Sequence, residues 1–354
     1  MWEKFKWLWI TAWRLKKSPY PKISIGAKLC LWPFSLSMLY SAIDVTISFN
    51  ADFPVDSIRA SLQDSSTPFY ASFVLMVVGA FLIYSDLKSN LRHTSKVIIA
   101  SMPRISREFP DEILDSSEKE FCRESVVLGQ SVSGGDEHIE RQTKFYNAEL
   151  LVDILNRFVV QEDCKKLYFG GLARIPFLVA YGYMLKNLKC AIIYFDKFHK
   201  SSSWQLLDDE DLKVKLDSSE IIEIQPSPSG DVGLAIGFST RINQEQLPIP
   251  LREHTLIVSS NQSIDRNLIK NQENLIRVSN EICKVIDELS HREGCKKIHL
   301  FLSVQSTLAI DIGRRYQEGV HKNWVIHNFS PESDSYSWAL ELSKTGVEYI
   351  EASN

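Results

Sequence analysis

Residues 164–169 read Cys-Lys-Lys-Leu-Tyr-Phe and residues 295–300 read Cys-Lys-Lys-Ile-His-Leu, so a chain of 354 residues writes the same opening to an apolar run twice. Apolar residues at helical spacing lead into each copy: Ala148, Leu151, Val152, Leu155, Phe158 and Val159 into the first, and Leu275, Val278, Ile282, Val285, Ile286 and Leu289 into the second. A helix-like stretch follows each, GGLARIPFLVAYGYMLKN (170–187) and LSVQSTLAIDIGRRYQEG (302–319), and then a second strand, CAIIYF (190–195) or NWVIHNF (323–329). With the triplets superposed, Gly182 falls opposite Gly313 and Leu178 opposite Ala309, while Trp204 and Trp338 close the two units at nearly equal distance. The repeat predicts an α/β domain of two fused Rossmann-like βαβ units, with spacer strands at SEIIEIQ (219–225), DVGLAIGFS (231–239) and HTLIVSS (254–260).

The first ninety residues follow another logic. Residues 29–49 and 69–84 are apolar stretches that reach, or with their flanks approach, the ~20 residues a bilayer crossing requires. Lysines and arginines precede the first and follow the second, whereas the intervening loop carries Asp52, Asp56 and Asp64 against Arg59 alone. That bias predicts a two-helix transmembrane hairpin with both termini cytoplasmic. Residues 1–28, with Trp2, Trp7, Trp9 and Trp13 among lysines, suit the headgroup layer. Asp44, near the outer end of the first span, reads as an interfacial carboxylate rather than a proton path. The expected organisation is therefore an interfacial segment (1–28), a hairpin (29–87), a partly helical connector (88–142) and a soluble domain (143–354) in halves of about 143–262 and 263–354.

Composition narrows the function. A net charge of -4, with 44% hydrophobic and 24% charged residues, argues against a broad basic field and hence against duplex DNA or RNA as partner. The six cysteines are scattered, with no CxxC pair and no histidine at ligand spacing, so no metal site is expected. GxSxG, HExxH, GxGxxG and GxxxxGK[ST] are all absent, and the expectation is a binding domain rather than an enzyme.

Open parallel sheets bind ligands where strand ends enter helix N-termini. At the first such loop Gly170 and Gly171 allow close backbone approach to a phosphate, with Arg174 beside them. The matching loop offers Gln305, Ser306 and Thr307, where capping alone would account for the hydroxyls. The next pair of loops carries Asp196, Lys197, Phe198, His199 and Trp204, and then Phe329, Tyr336 and Trp338. Aromatics beside cations suit a nucleobase with its phosphate, although Trp338 reads equally well as core.

From Tyr146 to Ser353 these strands, LYFGGLARIPFLVAYGYML, KKIHLFLSVQSTLAIDIGRR and the terminal YSWALEL resemble a SAVED domain. That family joins two CARF-like units and recognises cyclic oligonucleotides made by CD-NTase enzymes in CBASS antiphage defence. With two N-terminal spans, the whole chain is similar to the TM-SAVED effectors. The resemblance implies a cyclic di-, tri- or tetranucleotide as ligand, a trinucleotide first, and no further cofactor. Phosphates would sit near Gly170, Gly171, Arg174 and Lys197, and bases near Phe198, Trp204, Tyr336 and Trp338. It also implies ligand-induced self-assembly at the bacterial inner membrane, with the bilayer as target and abortive infection as outcome. The alternatives are a membrane-anchored ring nuclease using His199 or His327 as acid or base, and a constitutive membrane scaffold.

Overall fold

The computed structural model describes residues 22–31, 67–101, 106, 108–114, 125–128, 136–150, 164, 166–186, 188, 190–210, 214–217, 224–343 and 346–351. The chain divides into two compact units, Met1–Arg92 with Leu114–Cys122, and His93–Ile113 with Arg123–Asn354.

In the first unit, α1 spans residues 22–31 and α2 spans Thr67–His93. The two helices meet backbone to backbone: a Cβ on Gly26 would lie 2.6 Å from the Gly79 carbonyl oxygen, and one on Gly79 would lie 2.7 Å from that of Gly26. Small residues permit this approach. Elsewhere on α2, Phe73, Val74, Val77, Phe81 and Tyr84 are exposed. Among the described residues no helix is long and apolar enough to cross a membrane. Most of the first expected span, 29–49, and of the interfacial segment, 1–28, lies outside the described residues.

The second unit contains two sheets. The first is ordered β2-β1-β3-β4-β5 and comprises β1 (Thr94–Ala100), β2 (Ser125–Leu128), β3 (Lys166–Leu172), β4 (Ala191–Phe198) and β5 (Ser203–Leu206). The second is ordered β12-β11-β10-β9-β7-β8-β6 and comprises β6 (Leu216–Asp217), β7 (Asp231–Gly237), β8 (Thr255–Ser260), β9 (Lys297–Ser303), β10 (Asn323–Ser330), β11 (Ser335–Ser343) and β12 (Gly346–Glu351). Among the described residues, the α-helices of this unit are α3 (Asp136–Phe145), which continues into a π-turn over Tyr146–Leu150, α4 (Ile175–Met184), α5 (Gln272–Ser290) and α6 (Ser306–Arg314). The expected repeat is present: β3-α4-β4 and β9-α6-β10 are both parallel βαβ units whose paired strands are adjacent.

Two boundaries differ from those expected. The stretch read as a connector supplies β1 and β2, and β1 pairs in parallel with β3 along its whole length. All seven residues of β1, TSKVIIA, are buried, and Lys96 escapes only at its tip, where Nζ meets Asp111 at 3.0 Å. A strand covered on both faces has no reason to alternate polar and apolar residues, so its sequence carries little signal. The division between halves also falls earlier than residue 262. β7 lies between β8 and β9, which places everything from β6 onward in the second sheet.

Of the two amphipathic helices, α5 buries Leu275, Val278, Ile282, Ile286 and Leu289, and Asn271 caps it by accepting from Asn274 N at 3.0 Å. Beyond Leu150 the earlier helix falls outside the described residues. One apolar core runs through both halves and includes Phe177, Leu178, Leu308, Ala309 and Trp338. At its centre α4 crosses α6. A Cβ on Gly182 would lie 2.8 Å from the Ile310 carbonyl carbon, and one on Gly313 would lie 2.7 Å from that of Val179, each closer still to the oxygen. The glycines paired by the repeat are thus the two halves of one contact. A buried polar seam runs beside it, where Tyr194 donates to Asp311 Oδ1 at 2.9 Å and Arg315 holds Asp311 Oδ2 at 2.8 Å.

Candidate functional site

The carboxyl ends of the strands converge on a crevice of about 190 Å³ lined by Leu172, Asp196, Lys197, His199, Ser239, Arg266, Asn267, Val304, Gln305 and Ser306. Leu172 ends β3 and Asp196–His199 closes β4, whereas Ser239 follows β7, Arg266 and Asn267 follow β8, and Val304–Ser306 leads from β9 into α6. In the second sheet the chain passes from β7 out to β8 and then returns to β9 on β7's other side, and such a reversal opens a crevice at the strand ends. The volume lies below the roughly 300–1,000 Å³ of pockets that enclose a drug-sized ligand, so it suits one moiety of a larger molecule.

Asp196 anchors the site. Its Oδ1 accepts from Lys197 N at 2.7 Å, while Oδ2 accepts from Thr307 N at 3.4 Å and from Thr307 Oγ1 at 3.3 Å, so the first half reaches the N-terminus of α6 in the second. Complete burial pushes its carboxyl up to about 6, with the N–H and O–H donors from Lys197, Thr307 and Gln305 pulling the other way. Gln305 precedes α6 without capping it; its Oε1 accepts from Ile269 N at 3.1 Å. Its Nε2 finds no partner of hydrogen-bond geometry among the described residues, even though the amide faces Asp196 closely enough to favour the charged carboxylate. Asn267 braces the rim, accepting from His199 N at 2.8 Å and donating to the Lys197 carbonyl at 3.1 Å. Desolvation, Arg266 and Lys197 together lower the His199 imidazole, opposed by Asp265.

Among the expected site residues, Lys197, Gln305 and Ser306 come together here. The others lie elsewhere. Gly170 and Gly171 are inside β3 rather than in a loop after it. A Cβ on Gly170 would lie 3.0 Å from the Phe195 carbonyl carbon, while Gly171, at φ +137, would bring one within 2.7 Å of Ile99 Cα. These glycines permit the close packing of β3 against β4 and β1. Arg174 stands before α4 with its guanidinium 5.7 Å from the centre of the Trp338 ring. At the register of the two CKK triplets Arg174 corresponds to Gln305, and Pro176 to Thr307, so the amide hydrogen that Asp196 engages at α6 has no counterpart at α4.

The expected base-stacking aromatics are packed away from the crevice. Phe198 and Trp338 belong to the main core. Tyr336 joins a smaller core with Phe301, Ala235, Ile242, Leu247 and Leu251, and Trp204 lies edge-on to Phe195 at 5.6 Å. Phe329, partly exposed, meets Tyr336 edge-on at 5.5 Å. His327 faces a different cavity, of about 440 Å³, whose lining includes Asp231, Lys297, His299 and Glu351. Its Nε2 is 2.9 Å from His299 Nδ1, and Asp231 Oδ1 is 3.4 Å from His299 Nε2. Sequence reasoning missed Arg266, Asn267 and Ser239; the loop NQSIDRNLIK after HTLIVSS was the available signal for the first two, and the end of the strand DVGLAIGFS for the third. Among the described residues no group of three or more histidine, cysteine, aspartate or glutamate side chains is placed to hold a metal.

Comparison with known proteins bears on this arrangement. No functionally curated protein matches the chain. Solved structures that resemble it include the Acinetobacter baumannii Cap4 SAVED/CARF-domain containing receptor with the cyclic trinucleotide 3'3'3'-cAAA, at 16% identity and a TM-score of 0.49, covering 76% of this chain and 56% of that one. The Moraxella osloensis Cap4 SAVED/CARF-domain containing receptor resembles it at 14% identity and a TM-score of 0.44, covering 77% of this chain and 54% of that one. The chain thus spans about half the length of these receptors. Residues 152–342, more than half of the chain, match the model of the SMODS-associated and fused to various effectors sensor domain, and the protein therefore belongs to the SAVED family.

Proposed function

We propose that this protein is a sensor whose strand-end crevice takes part of a cyclic oligonucleotide second messenger made by a CD-NTase in CBASS-type antiphage defence. The observation that carries the reading is the position of Lys197, Arg266, His199 and the start of α6 around one crevice in a SAVED domain. Cations around a polar cavity suit phosphates, and the 190 Å³ volume leaves the rest of the ring to the surrounding surface or to a second copy of the chain. A trinucleotide remains the first candidate. The reading assigns no turnover, so ligand should be recovered intact.

The effector half of the proposal rests on α1 and α2. Exposed Phe73, Val74, Val77, Phe81 and Tyr84, together with the Gly26–Gly79 contact, suit a helical hairpin in lipid at the inner membrane with both termini cytoplasmic. Ligand-driven assembly would then bring many hairpins together and turn weak helix–helix contacts into effectively intramolecular ones, permeabilising the bilayer and ending infection. For such a switch, ligand must bind the assembled state better than the dispersed one by several kcal/mol.

The test is titration of the full chain, in detergent and in liposomes, with cyclic di-, tri- and tetranucleotides, including the two cAAA isomers held by the Acinetobacter baumannii receptor. Binding, mass by light scattering, dye leakage and product analysis are read in parallel. Binding of one ring with growth in mass and leakage is the expected result. Cleavage of the ring favours the nuclease alternative, and absence of any binding removes the sensor reading.

A further inference from the structure

A helix N-terminus ordinarily invites an anion. At α6 that place is taken, because Asp196, only 2% exposed, already accepts from the backbone and hydroxyl of Thr307. A phosphate drawn to the same point would meet a like charge away from water. The cations that favour a phosphate, Lys197 and Arg266, line the same crevice. Beside Asp196, Gln305 is 5% exposed, with its carbonyl committed to Ile269 and its Nε2 turned toward Asp196 without a hydrogen bond of full geometry among the described residues. An unsatisfied buried donor is costly, and a group supplied from outside that accepts from it recovers the loss.

We propose that Asp196 and Gln305 form a base-reading floor that selects an amino-bearing nucleobase edge, while the phosphate stays with Lys197 and Arg266. The inference rests on the reading of the crevice as a nucleotide site and names its specificity-determining residues. Asp196 as a carboxylate only accepts, and Gln305 Nε2 only donates. Adenine or cytosine matches the pair by giving an amino N–H to Asp196 and taking the Gln305 N–H on its ring nitrogen; guanine does so with two N–H donors and O6. Uracil flanks its single N–H with two carbonyls, so placing that N–H on Asp196 turns carbonyl lone pairs toward the carboxylate. Uracil can still offer its N–H and one carbonyl to the two side chains, so what disfavours it is the second carbonyl held against the carboxylate away from water.

The experiment compares cyclic tri-adenylate with cyclic tri-uridylate of the same linkage on the full-length protein in detergent, by calorimetry. Wild type is expected to favour the adenylate ring at least about tenfold, through the repulsion between the uracil carbonyl and the buried carboxylate. Asp196→Asn, whose carboxamide presents either a donor or an acceptor, should reduce that preference to about threefold or less, chiefly by tighter uridylate binding. Gln305→Glu, which replaces the donor with an acceptor, should weaken the adenylate ring about tenfold or more, and it carries the test alone if Asp196→Asn does not fold. Binding of both rings without discrimination, or an unchanged preference in both variants, overturns the floor assignment and leaves the sensor reading standing. Binding of neither ring overturns both.

Discussion

Replacing Gly313 with alanine adds one methyl at the α4–α6 crossing, and two opposed effects decide the result. Alanine favours a helix interior by ~1 kcal/mol over glycine, so an isolated helix would gain. Here the new Cβ meets the Val179 carbonyl carbon at 2.7 Å, and ordinary contact begins at 3.4 Å, so the helices must part by roughly 0.7 Å or more. The obstacle is backbone, which has no rotamer to change. Gaps of ~0.5–1 Å forfeit a quarter to a half of each dispersion contact, and Leu178, Val179, Leu308, Ile310 and Ile312 are all buried about this crossing. An overpacking cost near the upper end of the usual range, ~3 kcal/mol, minus the propensity gain, leaves a net loss of ~2 kcal/mol. For a domain of this size that lowers Tm by ~4–8 °C. Urea and thermal denaturation of wild type, Gly313→Ala, Gly182→Ala and the double variant measure it. The double variant should cost well under the sum, because helices already parted by one methyl admit the second. A Gly313→Ala protein more stable than wild type, or full additivity in the double variant, would refute the crossing as the controlling contact.

Three further outcomes follow from the site and its surroundings. Lys197→Glu and Arg266→Glu should each weaken binding of a cyclic oligonucleotide about tenfold or more with little change in Tm, and wild-type affinity should fall as salt rises, both measured by calorimetry. Asp196 has a folded value raised from 3.8 to about 6, so the native state binds the extra proton and this group's contribution to stability is lost as pH rises through about 4 to 6. The charged form costs roughly 3 kcal/mol by pH 7, and denaturation across pH should show that slope in wild type and a flatter one in Asp196→Asn. Burial, with His299 adding to it, holds His327 well below the ordinary imidazole range, so its contribution is present above about pH 6.5 and lost as pH falls below it. His327→Gln should be less acid-labile than wild type in the same denaturation series, and equal acid lability would remove His327 as the cause.

How much of this was legible beforehand depends on whether neighbours or sequence set each feature. The CKK strands, α5 and the Gly182–Gly313 pairing were readable because each imposes a local pattern or repeats one. β1 was not, since a strand buried on both faces writes Thr94, Ser95 and Lys96 without alternation. Gly170 and Gly171 looked like a phosphate loop because the close approach of β4 and β1 that requires them leaves no trace in their own sequence. Lys197, Gln305 and Ser306 line the crevice because they stand at strand ends, which the sequence marks, whereas Arg266 and Asn267 reach it only through the packing of β8 beside β7. The aromatics read as strand-end loop residues lie within strands instead, and Trp338 and Tyr336, both on β11, are taken up by the two apolar cores.

The paired helices that cross at Gly182 and Gly313 also bear on how such a molecule can change over generations. In a dimer of identical subunits every substitution appears on both sides of the twofold axis, so a residue useful on one side must be tolerated on the other. A tandem copy within one chain lifts that bond. The crossing keeps its matched glycines, where symmetry suits the contact, while Pro176 stands against Thr307 and Arg174 against Gln305 a few residues away. Substitutions at the start of one helix can therefore accumulate by single codon changes in one copy alone, without disturbing the glycine crossing that joins the two.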